Sequence, residues 1–378
     1  MKKNYFVTGA TGAVGSALIS TLLESTDCHI WMLMRAESEG HMQQRLQQLF
    51  SFWALDTKQC SNAQKRITLI QGDMDSPQFG IADIHYQNLS KQCTHIIHCA
   101  GVVRMNLPLE VATTHALGSA KNVIELALAC KKNGQLQKID VVSTVGVGGK
   151  MQISLPEAWI TEQREFHNTY EASKAAAEDY LQQEIKLHQL PATIHRPSMV
   201  VGDSVTGKII HFQVFYHLCE FLAGRRTFGL SPLYGNAILD TVPVDYVANV
   251  IVWSSQNQAT INKIFHLSSG PELAIKLTEL QSLIKEMMLS KGLKLPIKIA
   301  VPTPLFLFLL KLLTPLLPQK LRRAVKTLPI FLDYLNDEQL FVNTESRNFI
   351  EHNGGPTLPL WQEYLTNVIQ HYLHTQAK

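Results

Sequence analysis

The first 200 residues alternate short apolar runs with longer segments of helical periodicity. The strand-like runs are Tyr5–Thr8, His29–Met34, Ile67–Gln71, His95–Cys99, Lys138–Ser143 and Ala192–His195. The helical patterns between them include Ser16–Leu23, Leu117–Lys131 and Tyr170–His188. Strands separated by helices of this length form βαβ units with right-handed crossovers and a parallel sheet. The pattern therefore predicts an α/β fold with a doubly wound, Rossmann-type sheet, whose ligand crevice lies at the carboxyl ends of the strands.

The regular alternation fades from about residue 201, where glycines surround one apolar helical pattern at His211–Ala223. A strand-like run returns at Ile264–Leu267, and the last hundred residues are rich in proline. We therefore predict an NADP-binding Rossmann domain over residues 1–200, to which 237–268 returns. Residues 201–236 and 269–378 are predicted to form a smaller, mostly helical substrate-binding lobe.

The segment 287–332 contains eight basic residues and no acidic one. Within it, residues 305–313 are apolar on every side of a helix, and such a helix must be buried in protein or in lipid. Nine residues reach only about 13 Å, too short to span a bilayer. The leading interpretation is a buried helix of the second lobe. The alternatives are a wall for an acyl chain or a peripheral membrane contact through 305–326.

Composition excludes several functional classes. The 34 basic and 31 acidic residues give a net charge of only +3, so we expect no nucleic-acid partner. Six cysteines form no CxxC pair and fifteen histidines form no HExxH motif, so we expect no metal. The N-terminus carries no signal-peptide pattern, which predicts a cytoplasmic location, with peripheral membrane association as the alternative. The oligomeric state cannot be inferred from the sequence.

A glycine-rich turn follows the first strand and opens the first helix. Glycines allow a tight turn and a close approach of backbone to a pyrophosphate, and the helix N-terminus offers free N–H groups. Because the motif begins at residue 9, between a strand and a helix, it predicts dinucleotide binding. The predicted cofactor-binding residues of this turn are Thr8, Gly9, Thr11, Gly12, Ala13, Val14 and Gly15.

The residue that follows the second strand indicates which dinucleotide binds. An NAD site usually has an acidic residue about 20 positions after the glycines, but this chain has Arg35 there. A guanidinium at this position can clamp a 2′-phosphate in bidentate fashion, and Arg45 on the next helix can add a second contact. We therefore predict NADPH/NADP+ as the cofactor. The alternative is that Glu37 turns inward and accepts the hydroxyl of NADH.

A Tyr-x-x-x-Lys pattern, Tyr170 to Lys174, opens a predicted helix after a strand that ends at Val142-Ser143-Thr144. The i, i+4 spacing places both side chains on one helix face. A nearby ammonium lowers the pKa of a tyrosine, so Tyr170 is expected to pass a proton to a carbonyl oxygen, with Thr144 donating to the same oxygen. The alternative is an exposed tyrosine and lysine without a catalytic role.

These motifs resemble the extended short-chain dehydrogenase/reductase superfamily, and within it the thioester reductase and fatty acyl-CoA reductase (male-sterility type) branch. The resemblance covers roughly residues 4–270. Besides the glycine turn and Tyr170-Glu171-Ala172-Ser173-Lys174, it rests on the segments 34–36, 44–46, 72–74, 94–100, 142–144, 196–202 and 240–247.

The resemblance implies Thr144, Tyr170 and Lys174 as the catalytic residues and Arg35 with Arg45 as the 2′-phosphate clamp. It also implies further cofactor contacts in the Gly72-Asp73-Met74 turn and beyond it: Asp73, Met74, Ala100, Gly101, Lys174 and Pro197. One departure is His115, in a region where the family usually has an asparagine that supports a proton-relaying water. Histidine either serves the same relay or the relay is absent, so its role stays open.

The resulting functional hypothesis is an NADPH-dependent reduction of a long-chain acyl thioester, carried by coenzyme A or by an acyl carrier protein, to an aldehyde or an alcohol. The basic segment 287–332 fits either the phosphates of coenzyme A or an acidic carrier protein. One alternative is oxidation or reduction of a ketone or alcohol on a sterol or keto-acyl lipid. Another is a non-catalytic module that senses NADPH.

Overall fold

The computed structural model describes residues 3–103, 107–151, 154–313 and 340–376. The strands of this part of the chain are β1 (Asn4–Thr8), β2 (His29–Met34), β3 (Ile67–Gln71), β4 (His95–His98), β5 (Lys138–Val142), β6 (Ala192–Pro197), β7 (Met199–Val201), β8 (Leu230–Pro232), β9 (Ile238–Leu239), β10 (Thr241–Pro243), β11 (Ile264–Leu267), β12 (Ile275–Lys276) and β13 (Ile299–Val301). The helices are α1 (Ala13–Ser25), α2 (Glu39–Phe52), α3 (Thr57–Arg66), α4 (Asp83–Gln92), α5 (Leu109–Lys132), α6 (Thr169–His188), α7 (Val214–Leu222), α8 (Val244–Gln256), α9 (Leu277–Ser290), α10 (Thr303–Leu313), α11 (Thr344–His352) and α12 (Trp361–Gln376).

Seven parallel strands form the central sheet in the order β11-β6-β5-β4-β1-β2-β3. The chain starts in the middle at β1, proceeds to the β3 edge, and then returns to the other side of β1 through β4. The strand order therefore reverses between β1 and β4, where Thr8 pairs with His98. Ligands of open α/β sheets bind at such a reversal, outside the carboxyl ends of the strands. The predicted doubly wound sheet is confirmed.

The central strands are buried along their whole length because helices cover both faces of the sheet. Every residue of β4, β5 and β6 is buried, which is typical of a parallel sheet. On one face, α1, α2 and α8 contribute to a single apolar cluster with the sheet. On the other face, α4, α5 and α6 contribute to another. This packing leaves the carboxyl ends of the strands as the edge on which a site is built.

A further apolar cluster lies outside the central sheet and joins α7, α9, α10 and α12. Its fully buried side chains include Phe215, Phe306 and Tyr364. Short two-stranded sheets, β8 with β13 and β9 with β12, accompany it. The predicted strand Ile264–Leu267 is present as β11 and lies at the edge of the central sheet. The division into a 1–200 domain and a substrate lobe stays a prediction.

Four helices begin at residues other than those predicted; α1 and α6 start three residues and one residue earlier. Helix α5 starts at Leu109, directly after Pro108, so it is eight residues longer at its N-terminus than the pattern from Leu117 indicated. Helix α7 is shorter than His211–Ala223 because Gln213 has extended backbone dihedrals and precedes the first turn. These differences concern helix ends, where periodicity carries little information.

Helix α10 corresponds to the all-apolar run at 305–313, and the predicted buried helix is correct for one face only. Phe306 and Leu310 are buried, whereas Leu305, Phe308 and Leu312 are 45%, 63% and 61% exposed. The remainder of the predicted contact segment, 314–326, lies outside the described residues. Among the helices that the structure describes, none is both long and apolar enough to cross a membrane.

Candidate active site

The glycine turn lies between the end of β1 and the start of α1, against the end of β4. Gly9 has a φ of +72°, and a Cβ on it would lie 2.6 Å from the backbone nitrogen of Ala100. A Cβ on Gly15 would lie 2.1 Å from the carbonyl oxygen of Gly9. Glycine is therefore required at both positions, at the first for its dihedral and at both for the close approach of backbone.

The N-terminus of α1 faces the crevice without a side-chain cap. Gly12 is the N-cap residue and no side chain accepts from the first turn of this helix. Ala13 and Val14 therefore offer backbone N–H groups that have no partner within the helix, together with the positive end of the helix dipole. The turn and helix end fit the pyrophosphate of a dinucleotide.

Arg35, Arg45 and Thr11 come together beside the glycine turn. Nη2 of Arg45 donates to Oγ1 of Thr11 at 2.8 Å, and its Nη1 donates to the carbonyl oxygen of Arg35. The guanidinium of Arg35 is 67% exposed and donates to Oδ1 of Asp73 at 2.8 Å. Glu37, the acceptor of the NADH alternative, is exposed, as is Arg35.

The turn after β3 is held by side chains from α5. Nδ2 of Asn122 donates to the carbonyl oxygen of Met74 at 2.8 Å. Nδ1 of His115 lies 2.7 Å from Oδ2 of Asp75, which is itself 3.9 Å from Arg35. His115 is thus tied to the same turn as Asp73.

Lys174 reaches the end of β4 from α6. A Cβ on Gly101 would lie 3.0 Å from Nζ of Lys174, and this Nζ donates to the carbonyl oxygen of Val142 at 3.2 Å. Burial lowers the pKa of Lys174, with the Cys99 and Glu178 charges opposing it. Pro197 ends β6, the neighbour of β5 in the sheet. The predicted residues Ala100, Gly101 and Lys174 therefore lie together, and Pro197 follows along the same edge.

Thr144 and Tyr170 share a side-chain hydrogen bond. Thr144 directly follows β5 and caps a short 3₁₀-helix, where its Oγ1 accepts from the Gly146 N–H at 3.1 Å. The expectation that Lys174 lowers the pKa of Tyr170 is wrong for this structure. Burial raises the pKa of Tyr170 to about 12, and the hydrogen bond with Thr144 only partly offsets it.

A buried ionic network lies behind these residues, and the sequence interpretation did not include it. Glu178 accepts from Oγ of Ser143 at 2.5 Å and from Nε of Arg196 at 3.1 Å, and Arg196 is fully buried. Glu178 lies one turn beyond Lys174 on α6, so a search along the same helix face would have found it. The three residues join α6 to the ends of β5 and β6 directly beneath Thr144.

Lys174 lines a small cavity of about 30 Å³. Its walls include Ser143, Ser173, Glu178 and His115. The space is sufficient for a group the size of one water molecule. His115 therefore lies beside Lys174 as well as the turn after β3. Elsewhere in the described ranges, no group of three or more His, Cys, Asp or Glu side chains is arranged to hold a metal ion.

Comparisons with known proteins agree with the Rossmann-type fold described above. A family model described as male sterility protein matches residues 7–251. An isonitrile lipopeptide synthase of Streptomyces coeruleorubidus is 28% identical over 254 residues, which cover 67% of this chain and 16% of the synthase. A Drosophila melanogaster protein assigned as a fatty acyl-CoA reductase is 27% identical over 334 residues, covering 75% of this chain and 58% of that protein.

Among solved structures, the terminal R domain of the myxalamid PKS-NRPS biosynthetic pathway superposes with a TM-score of 0.81. The match covers 99% of this chain and 91% of that domain at 22% identity. At this identity the superposition shows a shared fold. The chain spans only part of the two curated relatives.

Proposed function

Because the chain belongs to the male sterility protein family, within the extended short-chain dehydrogenases/reductases, we propose that it is an NADPH-dependent reductase of an acyl thioester. The observation that carries the proposal is that Tyr170 meets Thr144 just after β5, while Lys174 reaches the Val142 carbonyl oxygen at the end of the same strand. Family membership supports an oxidoreductase with a nicotinamide cofactor. The choice of NADPH and of the thioester is our own inference.

The choice of NADPH rests on two guanidinium groups. Arg35 is largely exposed beside the glycine turn, and Arg45 is fixed there by Thr11. A 2′-phosphate would take the place of Asp73 as the acceptor for Arg35, and two cations favour a dianion over a hydroxyl. The same pair offers little to the neutral ribose of NADH.

The proposed reaction begins with addition of hydride, supplied by the bound nicotinamide, to the thioester carbonyl carbon. Thr144 and Tyr170 donate hydrogen bonds to the oxygen on which negative charge develops. The oxyanion then re-forms the carbonyl and expels the thiolate, which leaves an aldehyde and a free thiol after protonation. Lys174 places positive charge near the site, and its lowered pKa follows from burial. A second hydride would convert the aldehyde to an alcohol.

The proposed substrate is a long-chain acyl group on coenzyme A or on an acyl carrier protein. The Drosophila relative is assigned as a fatty acyl-CoA reductase, and the Streptomyces relative as a lipopeptide synthase. We place the aliphatic chain beside the apolar cluster of α7, α9, α10 and α12, the hydrophobic core outside the central sheet. Four lysines lie between residues 291 and 311, next to this cluster, and can meet the phosphates of the carrier.

The test is anaerobic oxidation of NADPH with acyl-CoAs of increasing chain length, and with an acyl-loaded carrier protein, while products are identified by mass spectrometry. Tyr170→Phe should lower kcat/KM about 100-fold or more, because it removes a donor to the oxyanion. Tyr180→Phe, ten residues along the same helix, is the matched control and should stay within about twofold.

Two outcomes would contradict the proposal. An unchanged rate in Tyr170→Phe would refute the mechanism. Tight NADPH binding without turnover of any thioester would refute the substrate class, and would favour a ketone substrate or a sensing module.

A further inference from the structure

The second lobe exposes a group of large apolar side chains around α10. Leu305, Phe308 and Leu312 follow one another at i, i+3 and i+7, so they form one stripe along the helix. They are 45%, 63% and 61% exposed, while Phe306 and Leu310 hold the opposite face in the core. Helix α10 is therefore anchored on one side and presents an apolar ridge on the other.

Exposed apolar side chains also lie on and next to the neighbouring β8–β13 sheet. Ile297 and Ile299 are 87% and 56% exposed, and Phe228 is 68% exposed. The Ile299 N–H donates to the Gly229 carbonyl oxygen at 2.9 Å, which joins the two segments. Helix α10 follows β13 after a single residue and packs on β8. We define the apolar patch as Phe228, Ile297, Ile299, Leu305, Phe308 and Leu312.

The chain segment that supplies five of the six apolar-patch residues carries charges of one sign. Between residues 287 and 313 the sequence has four lysines, at 291, 294, 298 and 311, and no acidic residue. All four are exposed, and Lys298 also donates to Oε1 of Gln281 at 2.6 Å. Lysine stems can lie along apolar surface while their ammonium groups reach a polar layer.

Three kinds of partner could cover such a surface, and charge and shape favour one of them. A second copy of this chain in a two-fold dimer would oppose lysine to lysine, which is unfavourable. A folded protein partner would need a matching pocket for each protruding side chain. A lipid bilayer accepts protruding apolar side chains without shape matching, and anionic headgroups attract a lysine rim.

We propose that the apolar patch docks on an anionic lipid bilayer, with α10 lying in the interfacial plane. Helix α10 has 11 residues, about 16 Å, so it inserts along the surface and does not span. Leu305, Phe308 and Leu312 enter the acyl boundary, and the lysines bind headgroup phosphates. The six residues of the apolar patch are distinct from Thr144, Tyr170 and Lys174, but the lysines beside it are those that the proposed function assigns to the carrier's phosphates. Loss of vesicle binding with unchanged acyl-CoA turnover therefore concerns this proposal alone.

The test is co-sedimentation of the full chain with phosphatidylcholine vesicles, with or without phosphatidylglycerol. The wild type should bind the anionic vesicles, and more weakly at high salt. The double variant Phe308→Ser/Leu312→Ser should bind at least about tenfold more weakly. The control Ile84→Ser/Leu187→Ser removes side chains that are 63% and 71% exposed elsewhere, and should bind within about twofold of wild type.

A second variant, Lys291→Gln/Lys294→Gln, alters only exposed side chains and should weaken binding to anionic vesicles while reducing its salt dependence. Circular dichroism of each variant reports whether it is folded. Absence of binding by the wild type, or equal binding by the Phe308/Leu312 variant, would overturn the proposal. A wild-type dimer that dissociates in the Phe308→Ser/Leu312→Ser variant would also overturn it. So would a variant that loses affinity for an acyl carrier protein but not for vesicles.

Discussion

Replacing Glu178 by alanine tests the energetic role of the network beneath the active site. The Glu178 carboxylate accepts from Nε of Arg196 at 3.1 and 3.3 Å, and from the hydroxyl of Ser143 at 2.5 Å. Arg196 is fully buried and the Glu178 side chain is only 6% exposed, so solvent cannot replace the lost carboxylate. The variant would leave a buried guanidinium with the Pro156 carbonyl and the His266 ring as its remaining partners.

The expected loss follows from this burial. Removing one partner of a buried pair destabilises a protein by about 3–5 kcal/mol, because an uncompensated charge stays in the interior. The lost hydroxyl–carboxylate bond with Ser143 belongs to the same network, so it is included in this range and not added to it. Glu178→Ala should therefore lower the free energy of unfolding by about 3–5 kcal/mol.

Urea unfolding followed by circular dichroism measures this quantity. The matched control is Glu184→Ala on the same helix, where the partner is the half-exposed His188 at 3.3 Å. That variant should lose less than about 1 kcal/mol, since exposed pairs contribute little. The double variant Glu178→Met/Arg196→Met should recover most of the loss, because it leaves no buried charge. A loss below about 1 kcal/mol in Glu178→Ala would refute the reasoning.

Three further predictions concern Arg45 and Gly9 at the glycine turn and the buried carboxyl group of Asp240. Arg45→Ala should raise the Kd for NADPH about tenfold in fluorescence titrations, because a charged contact to the 2′-phosphate is lost. The Kd for NADH should rise by less than twofold, and equal losses of affinity for the two cofactors would contradict the 2′-phosphate clamp. Gly9→Ala should lower Tm and prevent NADPH binding, because its Cβ meets the Ala100 backbone at 2.6 Å; calorimetry that finds an unchanged Tm refutes this. Burial raises the pKa of Asp240 from 3.8 to about 6, so its contribution to stability is complete below pH 4 and is lost as pH rises through 6. Asp240→Asn should flatten this part of the Tm–pH profile, and a profile like that of the wild type would count against it.

The sheet could be predicted because each strand shows its own apolar pattern in the sequence. The runs His29–Met34 and Ile67–Gln71 match the observed strands residue for residue, since both are apolar segments bounded by turn residues. The glycine turn could be predicted because its requirements are local: Gly9 has a positive φ, and backbone approaches both Gly9 and Gly15 too closely for a side chain. The start of α5 could not be predicted, since the helical pattern before Leu117 is weak and only Pro108 marks the N-terminus of the helix.

The parts that sequence reasoning missed depend on tertiary contacts. Glu178, Ser143 and Arg196 lie on three different elements, and no spacing within one element indicates that they meet. Helix α10 was expected to be buried because it is apolar on every side, but a helix at the surface of a lobe has only one face to bury. The pKa of Tyr170 was predicted from the neighbouring Lys174 alone. Burial, which the sequence does not reveal, raises this pKa instead.

The raised pKa of Tyr170 bears on which reduction step needs it most. With a pKa of about 12, its phenol keeps its proton at neutral pH and acts as a hydrogen-bond donor. Thioester reduction to the aldehyde needs no proton on the carbonyl oxygen, because the carbonyl re-forms and expels a thiolate whose thiol has a pKa of about 8.5. Reduction of the aldehyde leaves an alkoxide, for which water, with a pKa of about 15.7, is a fair guide. In the proposed mechanism only this second step would take the Tyr170 proton. Any alcohol formation should therefore suffer more from Tyr170→Phe than aldehyde formation does, and product analysis of that variant separates the two.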